Sequence, residues 1–578
     1  MSDSAALKSV PALTAQDRKG GFSTRVSWLL VASIFATLTF FFWLNEWPEG
    51  NWIFSLAITG AVAAVFAIVT RRVLFGTLLA TSQVIIVCVA AKVKLQMMDM
   101  LVHAYDLFFY FHSLSTATFL ATSYPIYTFS LLGTFVLTTV LGIIVYKADG
   151  AVVSRWQATA AFILFSLVGV VALETTGERR HMHLYYSNRF LSTYYGSWPE
   201  TIRTVMRGQL MEAADKALGK PFAGIGTCAT PQKKPHVILI HQESMAPPSL
   251  FPGLSYDPSI MPFFQSHDGK LHKLRVETYG GASWLTEFSV LAGVSTYSFG
   301  SMRQFVQAFM EGKVKETIPQ VMLDCGYRNV LFYPMMKNFV SNARFYESIG
   351  LKEIFDMKDQ KAATTTERDR FYYGNALDEM QRHFSASEKP LFTFIQTMSG
   401  HWPYDYKYFP EVNADGGGPG ADKINHAEMN EYLRRIKIAS GDYSWLKDEL
   451  KRRFPKESFV IANYGDHQPT ATRMLLGASE MAEAEDIKLK SDGLGFHTYY
   501  SIETQNWRAP ALPNVPILDV PYIGLALLEA ARLPLTDAFQ ERKRLMLACQ
   551  GRYHSCTDKD AILIFHRRLI DSGIMDSR

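Results

Sequence analysis

The sequence has little excess charge of either sign and few cysteines. Its 578 residues include 58 lysines and arginines and 54 aspartates and glutamates, which leaves a formal net charge of +4. Because the basic residues are scattered along the chain, the charge pattern argues against a nucleic-acid-binding surface. The five cysteines include no CxxC motif, which disfavours a cysteine-ligated metal. Close spacing favours a disulfide between Cys549 and Cys556 in an oxidising compartment, although the sequence leaves the pairing open.

A cleavable signal peptide is also lacking, since the first apolar run is long and has no small-residue cleavage site. The N-terminal part of the chain has five apolar runs, each of about 20 residues and long enough to span a bilayer. Five such runs close together favour membrane helices over buried core helices. The five runs are 26–44, 52–70, 73–91, 126–146 and 156–173.

Charged residues in the short loops predict the orientation of these helices. Basic residues collect in the N-terminal arm, the second loop and the fourth loop: Lys8, Arg18, Lys19, Arg25, Arg71, Arg72, Lys147 and Arg155. The positive-inside rule therefore predicts a multi-pass protein of the cell (inner) membrane with a cytoplasmic N-terminus. Five crossings place everything after residue 173 outside the cytoplasm. The aromatic stretch 103–123 is predicted to be an interfacial or re-entrant helix, because a sixth span would invert this topology.

The second half of the chain has the pattern of an α/β domain. Strand-like runs at 236–240, 329–333, 391–396 and 458–462 alternate with helical stretches such as 317–325 and 429–454. This alternation predicts a mostly parallel sheet covered by helices on both faces. The predicted parts are a cytoplasmic arm (1–25), a five-helix transmembrane domain (26–173), a linker (174–235) that includes a helix over 198–218, a catalytic domain (236–530) and a helical C-terminal tail (531–578).

Reactive side chains follow three of the predicted strands. Glu243 follows the first strand, His401 follows the third, and the pair Asp466-His467 follows the last. Ligands of open α/β sheets bind at this edge, and carboxylate and imidazole groups suit a divalent cation. Ser283 follows a glycine turn at the start of an apolar helix, where backbone N–H groups favour an anion. Such a set can perform metal-assisted displacement at phosphorus.

Each of these residues also has an ordinary structural interpretation. Ser283 could cap its helix, His401 could belong to a turn before Pro403, and Glu243 could be a surface carboxylate. Thr286, one helical turn after Ser283, is the second candidate for the nucleophile.

Four sequence elements in a fixed order carry a resemblance to a known family. They are HVILIHQES at 236–244, GGAS followed by Glu287-Phe288 at 280–288, SGHWPY at 399–404 and YGDH at 464–467. Together with the five spans and the region from Cys325 to Gly350, they resemble the lipoteichoic acid synthase type of membrane phosphoglycerol transferase. That family belongs to the sulfatase/alkaline phosphatase superfamily, and the resemblance covers the chain up to about residue 530.

The resemblance implies a role for each matching residue. Glu243, Ser283, Asp466 and His467 would hold the metal, with Mn²⁺ expected and Zn²⁺ as the alternative, and Ser283 would be the nucleophile where the family usually has threonine. His401 would contact the phosphoryl group. The donor would be phosphatidylglycerol and the acceptor a hydroxyl of an extracytoplasmic glycan or polymer.

The substrate pocket departs from the family pattern. Val340 and Asn342 stand where the family has a tryptophan and an arginine that contact glycerol phosphate, and Arg344 close by is a candidate phosphate contact. His497 is a further candidate substrate contact, because phosphoethanolamine transferases recruit additional histidines.

Other functions are compatible with parts of the pattern. A phosphoethanolamine transferase would share the fold, topology and metal ligands. A sulfatase is disfavoured, because the sequence after Ser283 lacks the proline and arginine needed to form formylglycine. A non-catalytic membrane sensor or scaffold is disfavoured because every metal and nucleophile position is filled.

Overall fold

The structure is a computed structural model that describes residues 21–47, 49–98, 100–109, 114–175, 189–208, 210–216, 219–223, 228, 233–337, 342–476 and 493–576. The chain divides into two units. The first comprises Met1–Ala104 and Leu120–Trp198, and the second comprises Tyr105–Phe119 and Pro199–Arg578. Most of the predicted arm lies outside the described residues.

The first unit is helical. Five of its helices are long and apolar enough to cross a membrane, which confirms the predicted number. Its helices are Thr24–Asn45, Glu49–Thr70, Val73–Met98, Pro125–Ala148, Arg155–Thr175 and the short Leu191–Gly196. Local chemistry sets some of their ends: the Ser23 hydroxyl accepts a hydrogen bond from the Val26 amide at the start of the first helix.

The aromatic stretch between the third and fourth long helices contains two short helices. These are Ala104–Phe109 and Leu114–Ser123, of 6 and 10 residues, and both are too short to span a bilayer. Tyr105 and Phe109 place their rings 5.7 and 5.6 Å from the ring of Phe305, within the second unit.

The second unit is built on an eight-stranded sheet. The strands are β1 His236–Gln242, β2 His272–Arg275, β3 Arg328–Phe332, β4 Glu353–Phe355, β5 Leu391–Gln396, β6 Phe459–Gly465, β7 His497–Gln505 and β8 Leu518–Asp519. They lie in the order β4-β3-β5-β1-β6-β7-β2-β8. Strand β7 is antiparallel to β6 and β2, and the other neighbours are parallel, which confirms the mostly parallel sheet. Because β5, β1 and β6 are adjacent, their carboxyl ends meet at one place on the sheet edge.

Helices cover both faces of this sheet, which explains why β1, β5 and β6 are buried throughout. On one face, Ile238 and Ile240 of β1 share a core with side chains of the helices Asp369–Ala386 and Ala427–Arg453. On the other face, Ala462 and Tyr464 of β6 lie against the helix Ile523–Ala530, which contacts the helix Ser283–Ala292.

The second unit has further helices outside the two faces of the sheet described above. The predicted helix over 198–218 is wrong in length: the helix ends at Arg207, and Gly208 with φ of 64° adopts the left-handed conformation that terminates helices. The other helices are Val306–Phe309, Ile318–Asp324, Asn342–Ser348, Ala421–Ile424, Asp537–Ala548 and Lys559–Asp571.

The C-terminal tail supports the site-bearing part of the domain. Buried Arg542 donates to the carbonyl of Ala292, at the end of the helix that Ser283 begins (3.1 Å). Disulfides join Cys549 to Cys556, the pair favoured by spacing, and Cys228 to Cys325.

Candidate active site

The ends of β1 and β6 place two carboxylates side by side. Gln242 pairs in register with Gly465, so the next residues, Glu243 and Asp466, are neighbours at the sheet edge. Both are buried. Asp466 Oδ1 accepts hydrogen bonds from the amides of Ser244 (2.7 Å) and His467 (2.8 Å), which fix the carboxylate.

Two glycines let the loops of the site approach each other closely. A Cβ on Gly465 would lie 1.8 Å from the carbonyl oxygen of Met245, and one on Gly400 would lie 2.1 Å from that of Glu243. No side chain fits at such distances. Because glycine has no side chain, the loops of His401 and Asp466 can lie against the segment that carries Glu243.

Ser283 enters the same cluster from a helix start. Gly280, Gly281 and Ala282 all have positive φ, a turn that places Ser283 at the first position of the helix Ser283–Ala292. The Ser283 hydroxyl donates to Glu243 Oε2 (2.9 Å) and lies 3.4 Å from His467 Nε2. The start of a helix also favours negative charge nearby, because backbone N–H groups point out of it.

His467 presents one ring nitrogen to the two carboxylates. Its Nδ1 lies 2.9 Å from the carbonyl oxygen of Gln468, so Nδ1 carries the hydrogen and donates it. Nε2 is 3.4 Å from Glu243 Oε1 and 3.3 Å from Asp466 Oδ2. This is the usual tautomer of a histidine that binds a metal through Nε2.

The spacing of these atoms fits a divalent ion. Ligand atoms about 2.0–2.2 Å from one ion lie ~3.0–3.6 Å from each other, and the contacts among the four side chains span 2.9–3.4 Å. In addition, Asp466 Oδ2 is buried and makes no hydrogen bond within the described part of the chain. An unsatisfied carboxylate oxygen in the interior is what a cation would satisfy.

The electrostatics of the cluster favour positive charge. Burial lowers the pKa of His467, but the charges of Asp466 and Glu243 outweigh it and raise the pKa to about 9. Burial raises the pKa of Glu243, yet its interaction with His467 and the charges of His401 and His241 bring it below its usual range. Glu243 thus stays ionised and attracts a cation.

His401 lies on the loop that follows β5. Its backbone carbonyl accepts from the buried guanidinium of Arg435 (2.5 Å), which also donates to the carbonyl of Pro403 (2.5 Å). His401 Nδ1 lies 2.5 Å from the carbonyl oxygen of Trp402 and therefore donates to it. Nε2 is then the ring nitrogen that can exchange a proton with substrate.

The second candidate nucleophile has a different environment. The Thr286 hydroxyl is fully buried and donates to the backbone carbonyl of Asp466 (2.7 Å). It therefore supports the metal-binding loop from behind, whereas the Ser283 hydroxyl contacts both Glu243 and His467 within the cluster.

Of the predicted substrate-binding residues, the structure describes the surroundings of two. Arg344, on the helix Asn342–Ser348, pairs its guanidinium with Glu311 (2.8 Å). His497 begins β7, and its backbone carbonyl accepts from Gln468 (2.7 Å), which places it beside the metal-binding loop. Val340 and the side chain of Asn342 lie outside the described residues.

One residue of the cluster escapes the sequence analysis. His241 is buried, and its Nε2 lies 3.1 Å from Asp466 Oδ2. The signal was available: side chains two residues apart on a strand point to the same face, so a histidine two positions before Glu243 faces the site.

Residues 235–501 match the sequence profile of the Sulfatase family. They form a sulfatase-family domain. This domain and the five apolar helices ahead of it confirm the predicted fold class. The chain is 25% identical over 292 residues to the putative cyclic beta-1,2-glucan modification protein of Rhizobium meliloti, covering 49% of this chain and 43% of that protein. This chain matches two curated relatives, and the matches span only about two fifths of the length of each, 41% and 43%.

Two solved structures are also similar to the chain. The phosphoglycerol transferase GacH of Streptococcus pyogenes, in complex with sn-glycerol-1-phosphate, is 16% identical with a TM-score of 0.46, over 61% of this chain and 89% of that one. The lipooligosaccharide phosphoethanolamine transferase EptA of Neisseria meningitidis is 9% identical with a TM-score of 0.47, over 92% and 99%.

Asp369 makes the stability of the sulfatase-family domain depend on pH. It accepts from the amides of Met398 (3.3 Å) and Ser399 (3.0 Å), ahead of His401, and burial raises its pKa from 3.8 to about 7. The folded protein therefore keeps a proton that the unfolded chain releases above about pH 4. We expect the free energy of unfolding to fall by on the order of 3 kcal/mol as pH rises from 4 to 7, and to be recovered below that window.

The variant Asp369→Asn mimics the protonated carboxyl and tests this expectation. Its thermal unfolding midpoint, measured on the full chain in detergent, should rise relative to the native protein between pH 5 and pH 8. Exposed Asp422→Asn is the matched control, and its unfolding midpoint should change with pH as that of the native protein does. The same pH dependence in Asp369→Asn would contradict the prediction.

Proposed function

We propose that this chain is a metal-dependent transferase that moves a glycerophosphoryl group from phosphatidylglycerol to a hydroxyl of an extracytoplasmic glycan or polymer. The observation that carries the proposal is the position of the Ser283 hydroxyl. It lies 2.9 Å from Glu243 and 3.4 Å from His467, at a helix N-terminus. A hydroxyl in such a place is suited to attack phosphorus.

Four residues would hold the divalent ion: Glu243, Ser283, Asp466 and His467. Mn²⁺ is the proposed ion and Zn²⁺ the alternative. When bound, the ion would lower the pKa of the serine hydroxyl and neutralise charge on the phosphoryl oxygens.

The residues of the chain then divide the reaction between them. Ser283 Oγ, after its hydroxyl proton has left to solvent, attacks the phosphorus, the bond to the diacylglycerol oxygen breaks, and His401 protonates that oxygen. In the second half, His401 takes the proton of the acceptor hydroxyl as its oxygen attacks phosphorus. The bond to Ser283 Oγ breaks, and Oγ is left as it was before its attack.

The five apolar helices support a lipid donor. A chain that carries membrane spans can draw its donor from the bilayer. The positive-inside rule supports a catalytic domain outside the cytoplasm. The name of the Rhizobium meliloti relative, a putative cyclic beta-1,2-glucan modification protein, supports a glycan as the acceptor.

A phosphoethanolamine transferase is the second candidate function. It is favoured by His497, whose backbone is bonded to Gln468 beside the metal-binding loop, where an additional histidine could contact substrate. A non-catalytic sensor or scaffold is disfavoured by the complete set of Glu243, Ser283, Asp466 and His467.

A donor assay distinguishes the candidates. Purified full-length protein with Mn²⁺ is given phosphatidylglycerol or phosphatidylethanolamine in separate mixed micelles, and diacylglycerol release is measured. We expect release from phosphatidylglycerol, and none from either lipid with Ser283→Ala. Release confined to phosphatidylethanolamine would overturn the main proposal in favour of the second candidate.

A further inference from the structure

His241 is directed at the candidate metal site by the sheet itself. It lies near the end of β1, two residues before Glu243, which follows the strand. On the neighbouring strand β6, Tyr464 is in register with His241, and Asp466 follows the end of that strand. The two strands therefore build a four-residue patch with His241 and Tyr464 behind the two carboxylates.

His241 and Asp466 are close enough to share one ion. His241 Nε2 lies 3.1 Å from Asp466 Oδ2, yet this oxygen makes no hydrogen bond within the described residues. His467 Nε2 approaches the same oxygen at 3.3 Å, also without a hydrogen bond. Atoms that share an ion have this property, because they point at the ion instead of at each other.

The other nitrogen of His241 is held in place. Nδ1 lies 2.9 Å from the Tyr464 hydroxyl, which is buried with it. His467 has the same arrangement, with Nδ1 fixed by a carbonyl oxygen and Nε2 turned to the carboxylates. Histidines that bind metals are usually oriented through the second ring nitrogen in this way.

We propose that His241 Nε2 is a fifth protein ligand of the ion held by Glu243, Ser283, Asp466 and His467. Ligand atoms of His241, Glu243 and Asp466 lie within 4.8 Å of one another, so the three side chains can converge on a single ion. This inference rests on the metal site of the proposed function. It adds that the site is five-coordinate through protein ligands and encloses the ion from the sheet side.

Cobalt binding to the metal-free full-length protein tests the fifth ligand. Co²⁺ is titrated into the native protein and into His241→Phe, and the visible absorption and affinity are recorded. Loss of His241 should lower the affinity by about 10- to 100-fold, and should change the intensity and position of the visible bands, because the coordination number falls. Tyr464→Phe is the control: it removes the bond to Nδ1 and keeps Nε2, so its bands should match the native ones.

The outcomes separate this proposal from the proposed function. Unchanged cobalt bands in His241→Phe, with or without weaker binding, would show that His241 only orients Asp466 and would overturn the fifth ligand. If His241→Phe does not fold, His241→Gln, which keeps a polar side chain, is tested in the same way. The donor assay on the native protein is unaffected by either result, so the two proposals fail independently.

Discussion

Replacing Ser283 by alanine is expected to lower lipid turnover by about 10⁴-fold or more, because the attacking oxygen is removed. The Ser283 hydroxyl is the one that reaches Glu243 Oε2 within the cluster, at the start of a helix whose free N–H groups suit a phosphoryl group. Diacylglycerol release from phosphatidylglycerol measures the loss. Bound metal should decrease much less, because Glu243, Asp466 and His467 remain.

Two further variants make the assignment specific. Ser283→Thr keeps a hydroxyl at the same position and should retain turnover. Thr286→Ala removes a hydroxyl that donates to the Asp466 backbone, away from the cluster, and should have a modest effect. Full turnover in Ser283→Ala together with loss in Thr286→Ala would transfer the role to Thr286.

The parts of the fold that sequence predicts are those with strong local patterns. The five membrane helices follow from apolar length, and β1, β3, β5 and β6 follow from continuous apolar runs. Strand β2, His272–Arg275, escapes prediction because three of its four residues are basic or imidazole side chains and the strand is short. Its place in the sheet depends on pairing with β7 and β8, which no local pattern encodes.

The same distinction applies to the site. Glu243, His401, Asp466 and His467 follow strands that are recognisable in sequence, so their convergence could be predicted from parallel topology. His241 lies within a buried strand, where a histidine is ordinarily a core residue. Long-range contacts such as Arg435 with the His401 carbonyl depend on a helix 34 residues away in the chain and carry no sequence signal.

Asp466→Ala is expected to abolish both metal binding and turnover. Asp466 lies beside Glu243 and His467, its Oδ1 accepts from two backbone amides, and its Oδ2 is the buried oxygen left for a cation. Without it, the two imidazoles lose the carboxylate that raises their pKa values, and the remaining ligands hold an ion weakly. We expect metal affinity to fall by about 100-fold or more, and turnover to fall to the level of the metal-free protein.

Removal of the metal with a chelator tests the same prediction independently of the mutation. Removing metal from the native protein should stop diacylglycerol release, and adding Mn²⁺ or Zn²⁺ should restore it to the extent that the site accepts each ion. Asp466→Ala should stay inactive after either addition, while the exposed control Asp422→Ala should behave as the native protein does. Turnover that survives both chelation and Asp466→Ala would show that the reaction proceeds without a metal in this cluster.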